Sequence, residues 1–195
     1  PLASLKGFIE TLEGPASEDA VARKRFLAIM RAQGDRMMRI LDDLLSLSRI
    51  EMRAHVLPTG SVDVGAVLRE VCQGLEPLAD AAGIRFTIDI PKASFRVRGE
   101  RDELVQVFQN LIHNAIKYGR KEGRVDVTLA ADPTAHVQRP RLKVVIADDG
   151  PGIAAEHLPR LTERFYRVDT VSSREKGGTG LGLAIVKHIL NRHRG

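Results

Sequence analysis

Cysteine is almost absent from this chain. The single Cys72 excludes an internal disulfide framework and fits a reducing compartment. Its expected place is the apolar face of a helix, where a thiol is structural and inert. Aromatic residues make up only 4% of the chain and the basic residues are scattered. With no groove-reading motif in view, a nucleic-acid partner is not expected despite a net charge of +5 and a pI of about 9.7. No apolar run is long enough to span a bilayer, and no signal peptide opens the chain. Histidine is missing before His55, an absence that matters below.

What is present is enough for one ordinary domain and a smaller module: 195 residues, 43% of them hydrophobic. Leu2, Leu5, Phe8, Ile9 and Leu12 form a helical stripe that Gly14-Pro15 stops. Ser17 is placed to cap a second helix, with Glu18 and Asp19 in its first turn. That helix runs to about Glu51 with Phe26, Met30, Met37, Leu41, Leu44 and Leu45 at spacings of three and four. Two helices cannot enclose a core, so pairing with a second copy into a four-helix bundle is expected. Arg23-Lys24-Arg25, continued by Arg31, Arg36 and Arg39, is either a solvated face or one that attracts an acidic partner. Residues 53–61, with Pro58 and Gly60, read as a linker.

Beyond the linker, Asp63 caps a helix carrying Val64, Val67, Leu68, Val71, Leu75 and Leu78, and residues 84–90 alternate as a strand. Arg101 to Tyr118 is a helix with Leu104, Val107, Phe108, Leu111 and Ala115 toward the core. Val125, Val127 and Leu129 alternate as a strand, residues 131–139 read as a hairpin loop, and residues 142–147 read as a buried strand. The pattern is a sheet backed by one layer of helices.

Three stretches carry chemistry. Asn110 and Asn114 are spaced i, i+4 with Lys117 on the next turn, so all three share one side of the helix. Two asparagines in a helix interior beside a core stripe suggest a polar task, and an amide oxygen suits Mg²⁺. Asp148 ends a strand and leads into Asp149-Gly150-Pro151-Gly152-Ile153, where glycine lets backbone approach a ligand closely. Gly177-Gly178-Thr179-Gly180-Leu181-Gly182 opens the last helix, where amide N–H groups and the helix dipole can serve phosphates. It is not a Walker A loop, because no Gly-Lys-Ser/Thr follows.

In this order and spacing the three stretches resemble the N, G1 and G2 boxes of the sensor histidine kinases, and Glu163-Arg164-Phe165-Tyr166-Arg167 resembles the F box. The phosphate-regulon sensor kinases look nearest, on the last helix with Lys187, His188, Asn191 and Arg192. The resemblance implies an α+β chain: an N-terminal helical hairpin over residues 1–52, half of a dimeric four-helix bundle, then an α/β sandwich of the histidine kinase and gyrase B type over residues 62–195.

It also implies ATP and Mg²⁺ as cofactors. Asn114 would be the Mg²⁺ ligand and Asn110 its support. Lys117 would contact phosphate, Tyr118 would pack on the adenine or ribose side, and Asp148 would accept from the adenine amino group. Gly150, Gly152 and Ile153 would border the base, with Gly178, Thr179, Gly180, Leu181 and Gly182 around the phosphates. Residues 154–176 would form a lid anchored by Phe165 and Tyr166, with Arg174 and Lys176 reaching the γ-phosphate.

Asn110 stands where hydrolysing relatives place a water-activating Glu, so transfer to a side chain is expected over an ATPase of the gyrase B type. His113 reads as a surface or core histidine, with a phosphate contact as the alternative, and His188 and His193 are not expected to be catalytic. The chain begins with Pro1-Leu2, just inside the family's phosphoacceptor box. The accepting histidine is therefore expected shortly upstream, with a pseudokinase scaffold as the rival reading. The family implies a homodimer through residues 1–52, a response-regulator receiver as partner, and a cytoplasmic location with membrane contact only through a preceding sensor region.

Overall fold

The computed structural model describes residues 2–14, 19–132, 141–168 and 178–195, with side chains from Lys6 onward. Helix α1 spans Leu2–Glu13 and α2 spans Ala20–Met52. Leu2 and Leu5 of the expected stripe, and the expected cap Ser17, lie outside the described side chains. The observed cap is Asp19, which accepts from the amides of Val21 and Ala22 at 2.9 Å. Asp19 therefore sits before the first turn rather than in it. A carboxylate there satisfies two amides that the helix start leaves open.

Phe8 and Phe26 stack the two helices with ring centroids 5.5 Å apart. Helix α2 has two unlike halves. Met38, Leu41 and Leu45 along its middle are more than half exposed, whereas Leu47 and Ile50 near its end are 2% and 4% exposed. Burying each of those two contributes on the order of 1.5–3 kcal/mol.

After α2 come β1 (Ser61–Asp63), α3 (Val64–Ala81), β2 (Arg85–Asp89) and β3 (Arg96–Arg98). Strands β1 and β3 form an antiparallel pair. Asp63 caps α3 as expected, accepting from Gly65 and Ala66 amides at 3.0 and 3.3 Å. Ser94 also donates to it at 2.8 Å. That bond is the main reason its carboxyl lies below the usual range. The buried track of α3 runs through Val64, Leu68, Cys72 and Ala79, and leaves Leu78 41% exposed. The stripe step after Leu75 is thus i+4, not i+3. Cys72 is fully buried, and burial pushes its thiol up to about 11.

Helix α4 covers Arg101–Tyr118, the range the periodicity predicts. Ile112 and Ile116 are buried beside the expected Leu104, Val107, Phe108 and Ala115, while Leu111 is half-buried. Strands β4 (Arg124–Ala131) and β5 (Leu142–Asp148) complete a sheet in the order β2-β4-β5. Strand β2 runs parallel and β5 antiparallel to β4. Val125, Val127 and Leu129 of β4 are buried, as a central strand requires. The expectation that residues 142–147 form a buried strand is corrected. Among the described residues β5 is a sheet edge: Leu142, Val144 and Ile146 are half-buried, and Lys143 and Val145 are exposed. A short 3-10 helix covers Ala155–Arg160 and α5 covers Gly182–His193. The expected 131–139 loop falls mostly outside the described residues, as do positions 169–176 of the expected lid.

Helix α5 packs on α4 and on the end of α2. Arg192 holds this three-way junction and is 5% exposed. Its Nη1 donates to both Glu103 oxygens at 2.6 Å. Its Nε donates to the carbonyls of Arg53 and Val56 at 3.2 and 2.9 Å. A buried guanidinium demands this full set of acceptors.

Candidate functional site

The site forms where the last turns of α4, the end of β5 and the start of α5 meet. Asn110 and Asn114 are both half-buried on α4. Gly182, at the start of α5, lies so close that a Cβ there would sit 2.8 Å from Asn110 Oδ1. Gly178 crosses the last turn of α4. A Cβ there would be 3.0 Å from Lys117 Nζ and 3.1 Å from the Tyr118 hydroxyl, with Arg167 Nη2 at 3.2 Å. Glycine at 178 and 182 thus lets the backbone come close to these polar groups, and a side chain there would make them shift.

Lys117 Nζ stands 4.9 Å from the Tyr118 ring centroid, a cation–π distance. Burial is the main cause that lowers the Lys117 pKa, with Arg167 and Arg39 acting the same way against the opposing Tyr118. His113 is lowered too, first by burial and then by Lys117 and Arg39, which favours its neutral form. The part of these shifts that comes from neighbouring cations, Arg167 and Arg39 on Lys117, is repulsion that an anion placed among them would relieve.

Asp148 and Asp149 are neighbours with different work. Asp149 Oδ1 accepts the Arg124 amide at 3.0 Å and ties the strand end. Asp148 is exposed, and its Oδ1 accepts the Gly150 amide at 2.9 Å, which fixes the carboxylate at the mouth of the turn. A Cβ at Gly150 would lie 2.6 Å from that oxygen and 2.8 Å from the Tyr118 carbonyl. The turn continues through Gly152 at φ +74° to Ile153, which is exposed.

The F-box stretch meets the glycine loop through backbone. The Phe165 amide donates to the Gly180 carbonyl at 2.8 Å. Both residues have positive φ, and a Cβ on Gly180 would come within 2.9 Å of Phe165 Cα. The Phe165 ring is 56% exposed, so the ring does not provide the expected anchor. Tyr166 does engage its side chain, with its hydroxyl 2.7 Å from His157 Nδ1 and Arg160 over its ring at 4.2 Å.

The structure thus gathers Asn110, Asn114, Lys117, Tyr118, Asp148, Gly150, Gly178, Thr179, Gly180 and Gly182. Leu181 is in the core, fully buried, and contributes its amide, which donates to Thr179 Oγ1 at 3.3 Å. Arg174, Lys176 and Gly177 lie outside the described residues. His193 is structural: its Nε2 accepts the Glu100 amide at 3.1 Å.

Three residues escaped sequence reasoning. Asp43 accepts the Thr179 hydroxyl at 2.7 Å, and burial is the main cause that raises its carboxyl. Glu51 pairs with Arg164 and lies 3.6 Å from His188 Nε2. Arg192 is the third. All act across modules distant in sequence, and no local pattern marks such pairs.

Among the described residues there is no group of three or more His, Cys, Asp or Glu side chains that could hold a metal ion. The amide oxygen of Asn114 fits an ion whose remaining shell is water and phosphate oxygen.

Comparisons with known proteins agree in direction. A family model described as His Kinase A (phospho-acceptor) domain matches residues 1–53. A second, described as Histidine kinase-, DNA gyrase B-, and HSP90-like ATPase, matches residues 99–195. The sensor protein kinase WalK of Staphylococcus aureus is 35% identical over 195 residues, all of this chain and 46% of the relative. The chain therefore spans about half the length of that relative, and 31% of the WalK proteins from individual strains. Among solved structures, a mycobacterial sensor histidine kinase, MprB, is 30% identical with a TM-score of 0.56, covering 70% of this chain and 80% of that one. Full-length ShkA in complex with AMPPNP is 28% identical with a TM-score of 0.68, covering 89% of this chain and 34% of that one.

Proposed function

Since this chain belongs to the sensor histidine kinases, we propose that residues 62–195 bind Mg·ATP and deliver its γ-phosphoryl group to a histidine of the helical module, expected upstream of Pro1. From there it would pass to an aspartate on a response-regulator receiver domain. One observation carries the reading: the polar face of α4 lies against the glycine loop, with Asn110 beside Gly182 and with Lys117 and Tyr118 beside Gly178.

In this reading Asp148 accepts from the adenine amino group, which excludes guanine because a carbonyl oxygen would face a carboxylate. Tyr118 packs on the base or ribose. Gly150, Gly152 and Ile153 border the base. Lys117 supplies a positive charge to the phosphates. Amides from Gly178 to Gly182, at the start of α5, add the helix dipole. Asn114 holds Mg²⁺ and Asn110 supports it, and the ion when bound neutralises phosphate charge. Asn110 cannot act as a base at neutral pH, so water is not activated there. Catalysis is mainly positioning and charge neutralisation around a loose phosphoryl transition state.

A nucleotide analogue, AMPPNP, is bound by the similar protein ShkA, which supports a nucleotide here. The exposed Met38, Leu41 and Leu45 of α2 support pairing with a second copy through residues 1–52. No helix among the described residues is long and apolar enough to cross a membrane. A site that uses ATP, with a buried free thiol at Cys72, fits the cytoplasmic side. Attachment to a bacterial inner membrane would come through other regions of a longer protein.

The test is incubation of the full-length protein with γ-labelled ATP and Mg²⁺. Acid-labile, base-stable label that disappears in Asn114→Ala supports both the kinase reading and the Mg²⁺ assignment. Tight ATP binding without label overturns phosphotransfer in favour of a nucleotide-binding scaffold.

A further inference from the structure

Asp43 lies on the face of α2 that turns toward the nucleotide pocket. Leu47 and Ile50, four and seven positions on, are buried. Ser46 donates its hydroxyl to Gln106 Oε1 of α4 at 2.8 Å. Arg39, one turn before Asp43, places its charge where it acts on His113 and Lys117. Spacings of three and four make these residues one stripe along α2. Asp43 is its acidic member, and its Oδ2 accepts the Thr179 hydroxyl at 2.7 Å across 136 positions of sequence.

Thr179 sits in the glycine loop, three residues before α5 begins. A hydroxyl at that place is a donor aimed where a phosphate oxygen is expected. Its proton is already committed to a carboxylate, an acceptor of the same charge sign as phosphate. The carboxylate is partly buried, so solvent screens its charge only weakly. A phosphate that takes the Thr179 proton must displace Asp43, and phosphates that arrive while Asp43 stays are repelled by it.

We propose that Asp43 is a built-in competitor of nucleotide phosphate: a carboxylate from the helical hairpin that occupies Thr179 and lowers the affinity of the loop for ATP. The inference rests on the reading of this pocket as the Mg·ATP site. Coupling of this kind is reciprocal, so bound nucleotide loosens the hold of the glycine loop on α2 by the same factor. A shift of α2 that withdraws Asp43 raises ATP affinity, which makes the hairpin a regulator of the site it faces.

Calorimetric titration of the whole 195-residue chain with adenosine, Mg·ADP and Mg·ATP tests this. Asp43→Asn keeps an acceptor for Thr179 and removes the charge. It is expected to bind Mg·ATP about fivefold tighter or more, with a smaller gain for Mg·ADP and none for adenosine. Asp43→Ala is expected to behave alike and guards against a defect peculiar to one variant. Unchanged or weaker Mg·ATP binding in both variants overturns the inference. So does a gain of equal size for adenosine, which points to loosened packing instead of charge competition. A wild-type chain that binds neither adenosine nor Mg·ATP sinks the nucleotide-site reading itself, a result distinct from either.

Discussion

The first 52 residues and the rest of the chain solve the same problem differently. From β1 onward, α3, α4, α5 and the sheet enclose a shared core in which Leu68, Ile112, Val125 and Ile185 are all but sealed from solvent. In the helical hairpin, Leu47 and Ile50 are the two apolar residues that reach that degree of burial among the described side chains, and they reach it by leaning on the other region. Of the rest of the α2 stripe, Phe26, Met30 and Met37 are half-buried, and Leu41, Leu44 and Leu45 stay exposed. A helix can carry a strong 3.6-residue pattern without its own chain supplying the surface that the pattern is written for. The contrast separates a region stabilised from within from one whose apolar stripe its own chain leaves partly uncovered, as the proposed pairing with a second copy requires.

The sharpest way to break this contrast is at the joint. Arg192→Met strips Glu103, whose side chain is 15% exposed, of both short hydrogen bonds and leaves it, among the described residues, only His193 Nδ1 at 3.7 Å. We expect a loss of about 3–5 kcal/mol, read as a lower urea midpoint at unchanged m-value. If the hairpin and the sheet region then unfold in separate transitions, the joint was what made them one unit.

Next in size is the pocket. Asp148→Ala should weaken ATP binding by about 1.5–3 kcal/mol, the value of a hydrogen bond to a charged group, while Leu41→Glu should not change it. Calorimetry on both variants measures this, and equal losses would contradict the division of labour. Leu41→Glu with Leu45→Glu should in turn shift the protein from dimer to monomer in sedimentation at micromolar concentration, leaving its melting behaviour from β1 onward intact.

The smallest effect is a pH window. The Cys72 thiol moves from 9.0 to about 11 because burial disfavours the thiolate. The unfolded chain therefore gives up that proton first, and the stabilising contribution, complete below about pH 9, is lost as pH rises toward about 11. Cys72→Ala should flatten that part of the stability profile, and the native thiol should resist alkylation at pH 8.

Sequence alone reached far where the physics is local. The range of α4 followed from its apolar spacing and the Asp63 cap from one side chain beside two free amides. The boxes placed Asn110, Asp148 and the glycine loop in a list, and the structure adds how they meet: Gly150, Gly178 and Gly182 border polar atoms of Asp148, Lys117 and Asn110, and Gly180 borders the Phe165 backbone. Local reasoning failed where two candidates are equivalent along the chain. Ser17 and Asp19 can both cap, and Leu78 and Ala79 can both continue a stripe. Only the direction in which the chain arrives decides between them. The edge position of β5 was hidden because an apolar run looks the same in the centre of a sheet and at its border. Asp43, Glu51 and Arg192 were hidden for a different reason. Their partners lie on other modules, and each alone is an ordinary charged residue on a helix.

The grip of Arg192 on the hairpin has one more consequence. Just past the end of α2 its acceptors are the main-chain carbonyls of Arg53 and Val56, which every amino acid supplies. On the other side its acceptor is the Glu103 carboxylate, which few can replace. Substitutions at positions 53 and 56 can therefore accumulate without loosening the joint, and homologues should differ freely there while keeping the pair at 103 and 192. The tolerance is one-sided: the module that receives the helix carries the lock, and the helix needs only a backbone to be held.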